Sequence, residues 1–92
     1  MAKSIKVTHV PDTLVISSPD TLGQLVRAKR TSLGLRLEDC ASLCDIGINT
    51  LSRIENGNKN TTINAIFKVL QGLGIQLSNT DSSANKQNDP WV

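Results

Sequence analysis

The sequence predicts an all-α fold of four to five short helices closed around one small core, followed by a single short β-strand that needs a partner. Three observations carry that prediction. Apolar residues recur at steps of three and four in four successive stretches, each bounded by capping or turn residues. Between Leu37 and Gly57 two such faces flank a tight turn at Asp45: Leu37, Cys40, Ala41 and Cys44 before it, Ile46, Leu51 and Ile54 after it. Beyond Gly74 the period changes, and Ile75-Gln76-Leu77-Ser78 alternates as a strand does.

Taken in order, residues 1–17 form an N-terminal extension. Ile5, Val7, the turn signal Val10-Pro11-Asp12-Thr13 and Leu14-Val15-Ile16 leave open a short hairpin, an extended arm and a disordered leader, although Pro11 argues against a central strand. The first helix opens at Ser18-Pro19-Asp20, with Ser18 or Asp20 as cap and Pro19 in the first turn. Leu22, Leu25, Val26 and Leu33 form its inward face, and it ends near Gly34. A second helix begins at Arg36 or Leu37, where Glu38 and Asp39 suit the positive end of the helix dipole. The third runs from about Gly47 to Asn56 and stops at Gly57. Thr61 or Thr62 caps a fourth, whose Ile63, Ile66, Phe67, Leu70 and Leu73 close the core. The strand Ile75, Gln76 and Leu77 has two unpaired edges, so it takes either the N-terminal segment or a second copy of itself. Pairing across a two-fold axis, making a homodimer, is the simpler solution. The domain then spans residues 18–78, and the polar run 79–92 is expected to be a disordered tail that ends in Pro90-Trp91-Val92.

Composition excludes more than it selects. A chain of 92 residues is one small domain of marginal stability, and with only two cysteines the expected support is a partner subunit. It has no apolar run of about eighteen residues and no basic start leading into a hydrophobic stretch, so a cytoplasmic protein without membrane contact is expected. Cys40 and Cys44 lie four apart on one helical face, but zinc takes four ligands and the single histidine, His9, is distant, so core packing is the better account. With one histidine, no glycine-rich phosphate loop and no carboxylate pair in a credible cleft, neither an enzyme nor a cofactor is expected. The net charge of +2 is too small to argue for nucleic acid, yet Arg27, Lys29, Arg30, Arg36, Arg53 and Lys59 cluster in the first helices and in the loop after the third. The bland alternative is a set of solvated helix faces.

The third helix buries one side and leaves Ile48, Asn49, Ser52 and Arg53 on the other, at steps of one, three and four. Short polar groups and one cation on a braced helix suit a DNA major groove. Asn49 pairs with adenine there, Ser52 reaches a base or a phosphate, Ile48 packs on a thymine methyl, and Arg53 takes guanine or the backbone. The competing assignments are a helix cap for Asn49, a solvent hydroxyl for Ser52 and a partly buried apolar residue for Ile48. Phosphate contacts are expected from Arg36, from Gly47 at the helix start, and from Asn56, Asn58 and Lys59.

Ala41, Ile46, Leu51-Ser52, Ile54-Glu55 and Gly57 carry a family resemblance. They fall where the Cro/C1-type (XRE) helix-turn-helix domain has its motif, which Leu22 to Leu77 resembles. Asn60-Thr61-Thr62, Phe67-Lys68-Val69-Leu70-Gln71 and Leu73 resemble more narrowly the HipB antitoxins. The resemblance implies a lambda-repressor-like domain that dimerises partly through its C-terminal strand. It further implies binding to a palindromic operator in double-stranded DNA, repression of its own operon, and engagement of a HipA-like kinase toxin through a terminal aromatic, here the lone Trp91. The chain departs from the family pattern at two places. The Thr-Gln pair that usually opens the second helix is Arg36-Leu37, and the turn glycine is Asp45, which brings negative charge near the duplex. Rival functions are a free-standing XRE-type regulator, phage or metabolic, without a toxin, and a helical adaptor that binds protein only. A neighbouring kinase gene separates the first, and the salt dependence of DNA affinity separates the second.

Overall fold

A computed structural model describes residues 15–79. Within that span the chain folds into α1 Pro19–Ser32, α2 Leu37–Cys44, α3 Ile48–Glu55 and α4 Ile63–Leu73. The expected four to five helices are four among the described residues. No strand is present among them, and residues 75–79 carry no regular structure. A strand that depends on a second copy has no ladder partner in a single chain. The proposed hairpin, arm or leader lies outside the described residues as far as position 14, and so does the tail from position 80 onward, including Trp91.

Each helix boundary has a local cause. Ser18 and Thr21 form a reciprocal capping box: Ser18 Oγ accepts from the Thr21 amide at 3.3 Å, and Thr21 Oγ1 accepts from the Ser18 amide at 3.1 Å. Pro19 then occupies the first turn, where its missing N–H costs nothing. Of the two threonines, Thr62 is the cap of α4, accepting from the Ala65 amide at 3.1 Å. Gly34 and Gly74 take left-handed backbone at the ends of α1 and α4.

The core consists of Val26, Cys40, Ala41, Cys44, Leu51, Ile54, Ala65, Val69 and Leu73, with Leu22, Leu35, Leu37, Ile46, Ile66 and Ile75 packed against it. Fully burying Leu51 alone contributes about 1.5–3 kcal/mol. Two glycines permit the tightest approaches. A Cβ on Gly23 of α1 would sit 2.5 Å from the backbone oxygens of Ile54 and Glu55, and one on Gly72 of α4 would collide with Cys44. So α1 rests on the last turn of α3, and α4 rests on α2.

Three residues assigned to inward faces are exposed. Leu33 falls after α1 has ended and is 52% exposed; Ile63 and Phe67 are 71% and 46% exposed. Their spacing is helical, but four short helices enclose only the arc of α4 that carries Ala65, Val69, Leu70 and Leu73. Ile66 packs at the edge of that arc, whereas Ile63 and Phe67 face outward. Cys40 and Cys44 are core residues and free thiols, with Sγ atoms 3.9 Å apart. Burial, then the neighbouring Cys44, pushes the Cys40 thiol up to about 12, and burial raises Cys44 as well.

Candidate nucleic-acid interface

Helix α3 divides cleanly. Leu51, Ile54 and Glu55 are buried, whereas Ile48, Asn49 and Arg53 are exposed and Ser52 is half-buried. Asn49 is not a cap. Gly47 holds that place with extended backbone and makes no side-chain bond, so the Asn49 amide is left on the outer face. Ile48, at 49% exposed, does not fill the core either.

A buried carboxylate ties α3 to α1. The Glu55 side chain is 2% exposed and receives bonds from two arginines of α1. Arg30 donates through Nε to Oε2 at 2.5 Å and through Nη2 to Oε1 at 3.0 Å, and its Nη1 donates to the Leu35 carbonyl at 2.8 Å. Arg27 donates through Nε to Oε1 at 3.2 Å. The hydrogen bonds it donates to Glu55 hold the Arg30 guanidinium above its ordinary range, against a smaller opposing effect of burial. Two of the six clustered cations are therefore structural.

The expected phosphate contacts differ in how free they are. Arg36 caps α2 without a side-chain bond and is pulled onto two carboxylates of its own first turn, Asp39 at 3.1 Å and Glu38 at 3.6 Å. Its bond with Asp39 raises it above its ordinary range. In the loop after α3, Asn58 Oδ1 accepts from the Asn60 amide at 2.6 Å, closing an Asx turn. Arg53 and Lys59 carry no ion pair among the described residues, and both are exposed.

Asp45 takes left-handed backbone, φ 60°, at the end of α2, which explains why a glycine suits the position. Its charge is met by a residue that pattern reading missed. Lys68 of α4 reaches back to the Asp45 carboxylate at 3.7 Å and to its carbonyl at 3.4 Å. The two lie 23 positions apart, so no spacing rule signals the pair. With Gly47, Thr50, Arg53, Thr61, Thr62 and Asn64 they line an open polar groove of about 300 Å³ beside α3.

A protein-family model described as Helix-turn-helix matches residues 26–78, more than half of the chain. The chain belongs to the XRE-type helix-turn-helix family. Among relatives of this DNA-binding family, the antitoxin HipB of Escherichia coli (strain K12) is 30% identical over 82 residues, covering 83% of this chain and 93% of that protein. An uncharacterised HTH-type transcriptional regulator, y4mF of Sinorhizobium fredii (strain NBRC 101917 / NGR234), is 31% identical over 62 residues, covering 67% of this chain and 82% of the regulator. Of solved structures, the HipB-O4 20mer complex superposes with a TM-score of 0.68 and the HipA-HipB-O2-O3 complex with 0.69. Each is 30% identical and covers 75% of this chain and 97% of the other.

In this XRE-type domain the fold brings Ile48, Asn49, Ser52 and Arg53 together with Asn56 on one side of α3, and Gly47 opens the helix beside them. The strand residues stand apart. Ile75 turns back on the core of its own chain, its amide donating to the Leu70 carbonyl at 2.8 Å, while Gln76 and Leu77 are exposed. Among the described residues no helix is long and apolar enough to cross a membrane, and no group of three or more potential ligands could hold a metal.

Proposed function

We propose that the chain is a sequence-specific transcriptional repressor, the antitoxin partner of a HipA-like kinase, and that it autoregulates its operon as a homodimer on a palindromic operator. The observation that carries this reading is a helix buried along its back, braced by a carboxylate and two arginines, with Ile48, Asn49, Ser52 and Arg53 on its open side. Those four residues read bases in the major groove. Arg36, Gly47, Asn56, Asn58 and Lys59 fix register on phosphates. Two recognition helices related by a two-fold axis meet half-sites roughly 10 base pairs apart, or a multiple of that. On this reading residues 18–78 are the DNA-binding and dimerisation domain, with 1–17 an extension and 79–92 a tail.

Ile75, Gln76 and Leu77 join the two copies. Exposed Leu77, and the outward apolar pair Ile63 and Phe67 one turn apart on α4, support burial against a second chain. Likeness to HipB in complex with HipA supports the kinase partner, to which Trp91 supplies an aromatic anchor. Gel-shift titration against the DNA upstream of its own gene tests the core claim. Binding tighter than to scrambled duplex and falling steeply with salt is expected; equal affinity for both duplexes refutes it. Deleting Pro90 to Val92 is expected to weaken capture of the kinase and leave DNA binding unchanged.

Similarity to the HTH-type regulator of Sinorhizobium fredii supports a second reading, a free-standing regulator without a toxin. A kinase gene adjoining this one and co-purification of the two products favour the first.

A further inference from the structure

Arg27 belongs to α1, yet its guanidinium reaches the open side of α3. Beyond its bond to Glu55, Nη2 donates to Asn56 Oδ1 at 3.2 Å. The Asn56 amide in turn donates through Nδ2 to Ser52 Oγ at 3.5 Å. A line of hydrogen bonds thus runs from a buried carboxylate, through Arg27 and Asn56, to a hydroxyl on the proposed base-reading face.

Chemistry determines the direction of that line. A guanidinium has only N–H donors, so the atom of Asn56 that faces Arg27 is its oxygen. The nitrogen is left on the other side, where it can only donate. Ser52 Oγ accepts that bond, so its own O–H does not point at Asn56 and is left to donate to another acceptor. The buried end is anchored, because Glu55 also receives two bonds from Arg30.

We infer that Arg27 is a positioning residue for sequence reading: through Asn56 it presents Ser52 to the duplex as a hydrogen-bond donor. The base edge opposite Ser52 is then an acceptor, such as guanine O6 or N7 or thymine O4, and not the amine of cytosine. This rests on the proposed seating of α3 in the major groove. Without Arg27 the Asn56 amide turns over freely, offers Ser52 oxygen or nitrogen alike, and the hydroxyl loses its polarity.

The test uses the full chain and the duplex that the parent protein itself enriches from a randomised library, together with every single-base-pair variant of that duplex, read by fluorescence anisotropy. Arg27→Met is expected to weaken binding to the enriched duplex about five- to tenfold and to flatten discrimination at one base pair. In a Ser52→Ala background the same substitution has little further effect, since no hydroxyl remains to be oriented. Losses that are equal in both backgrounds and uniform across duplexes assign Arg27 to phosphate binding or plain stability, and overturn the inference. Arg27→Lys covers the case in which the Met variant does not fold. It keeps a cation beside Glu55, but a compact ammonium does not span Glu55 and Asn56 as the planar fork does. A folded Lys variant with parental base discrimination also overturns the inference. If the parent enriches no sequence at all, base reading itself fails and this inference with it; if it enriches one and the losses simply add, only this inference fails.

Discussion

Replacing Glu55 by alanine is a severe change to the interior that substitutes none of the residues proposed to meet DNA. The carboxylate is 2% exposed and its partner Arg30 is 11% exposed. Removing one member of such a pair leaves the other largely desolvated and without its counter-charge, at a cost of about 3–5 kcal/mol. Arg27 is 45% exposed, so solvent screens its share, which adds at most about 1 kcal/mol. Single domains commonly hold about 5–15 kcal/mol in all, so Glu55→Ala removes a large part of the reserve. At about 4–8 °C per kcal/mol for a domain of this size, the midpoint falls by at least about 12 °C. Urea and thermal unfolding followed by circular dichroism measure both quantities. The double variant Glu55→Leu with Arg30→Met, which replaces the pair by apolar groups, is expected to recover most of the loss, because it leaves no buried charge. Should Glu55→Ala melt with the parent, the carboxylate is not what ties α3 to α1.

Three further predictions follow from close contacts and titrating groups. Gly23→Ala drives a methyl into the Ile54 and Glu55 carbonyls, backbone atoms that cannot step aside, so a loss of at least about 1–3 kcal/mol and weakened DNA binding are expected in thermal melts and gel shifts. For Cys40 the sign is that of an acid with a raised folded value. The stabilising contribution is intact below its ordinary value of 9.0 and is lost as pH rises from there toward about 12, by up to about 1.4 kcal/mol per unit. Cys40→Ala is expected to flatten that alkaline slope in pH-dependent unfolding, and both thiols of the parent should resist a thiol reagent until urea opens the core. Asp45→Gly relieves left-handed backbone and removes an exposed ion pair, so stability moves by no more than about 1 kcal/mol. DNA affinity is expected to rise, and with Lys68 released onto a phosphate the slope of log affinity against log salt steepens by about 0.9.

The order of the helices, a cap for the first at Ser18 or Asp20 and for the fourth at Thr61 or Thr62, the turn at Asp45 and the division of α3 into inner and outer sides were all legible along the chain. Each depends on neighbours within about one helical turn, and local sequence encodes such relations directly. Leu33, Ile63 and Phe67 mark the limit of that legibility. Their spacing is helical, but whether a helical position is covered depends on how much of its arc the other helices reach, which periodicity does not carry. The same holds at the candidate interface. Ile48, Asn49, Ser52 and Arg53 could be named from spacing alone. That Arg27 and Arg30 converge on Glu55, that Arg36 is held by Asp39 and Glu38, and that Lys68 answers Asp45 could not all be read from sequence. The pairs involving Glu55 and Asp45 join residues 23 to 28 positions apart. By itself the sequence determined the helices and the outer side of α3; only the tertiary structure decided which apolar positions stay uncovered and which charges are free to act, because a cation's availability depends on the carboxylates that folding brings within a few ångströms of it.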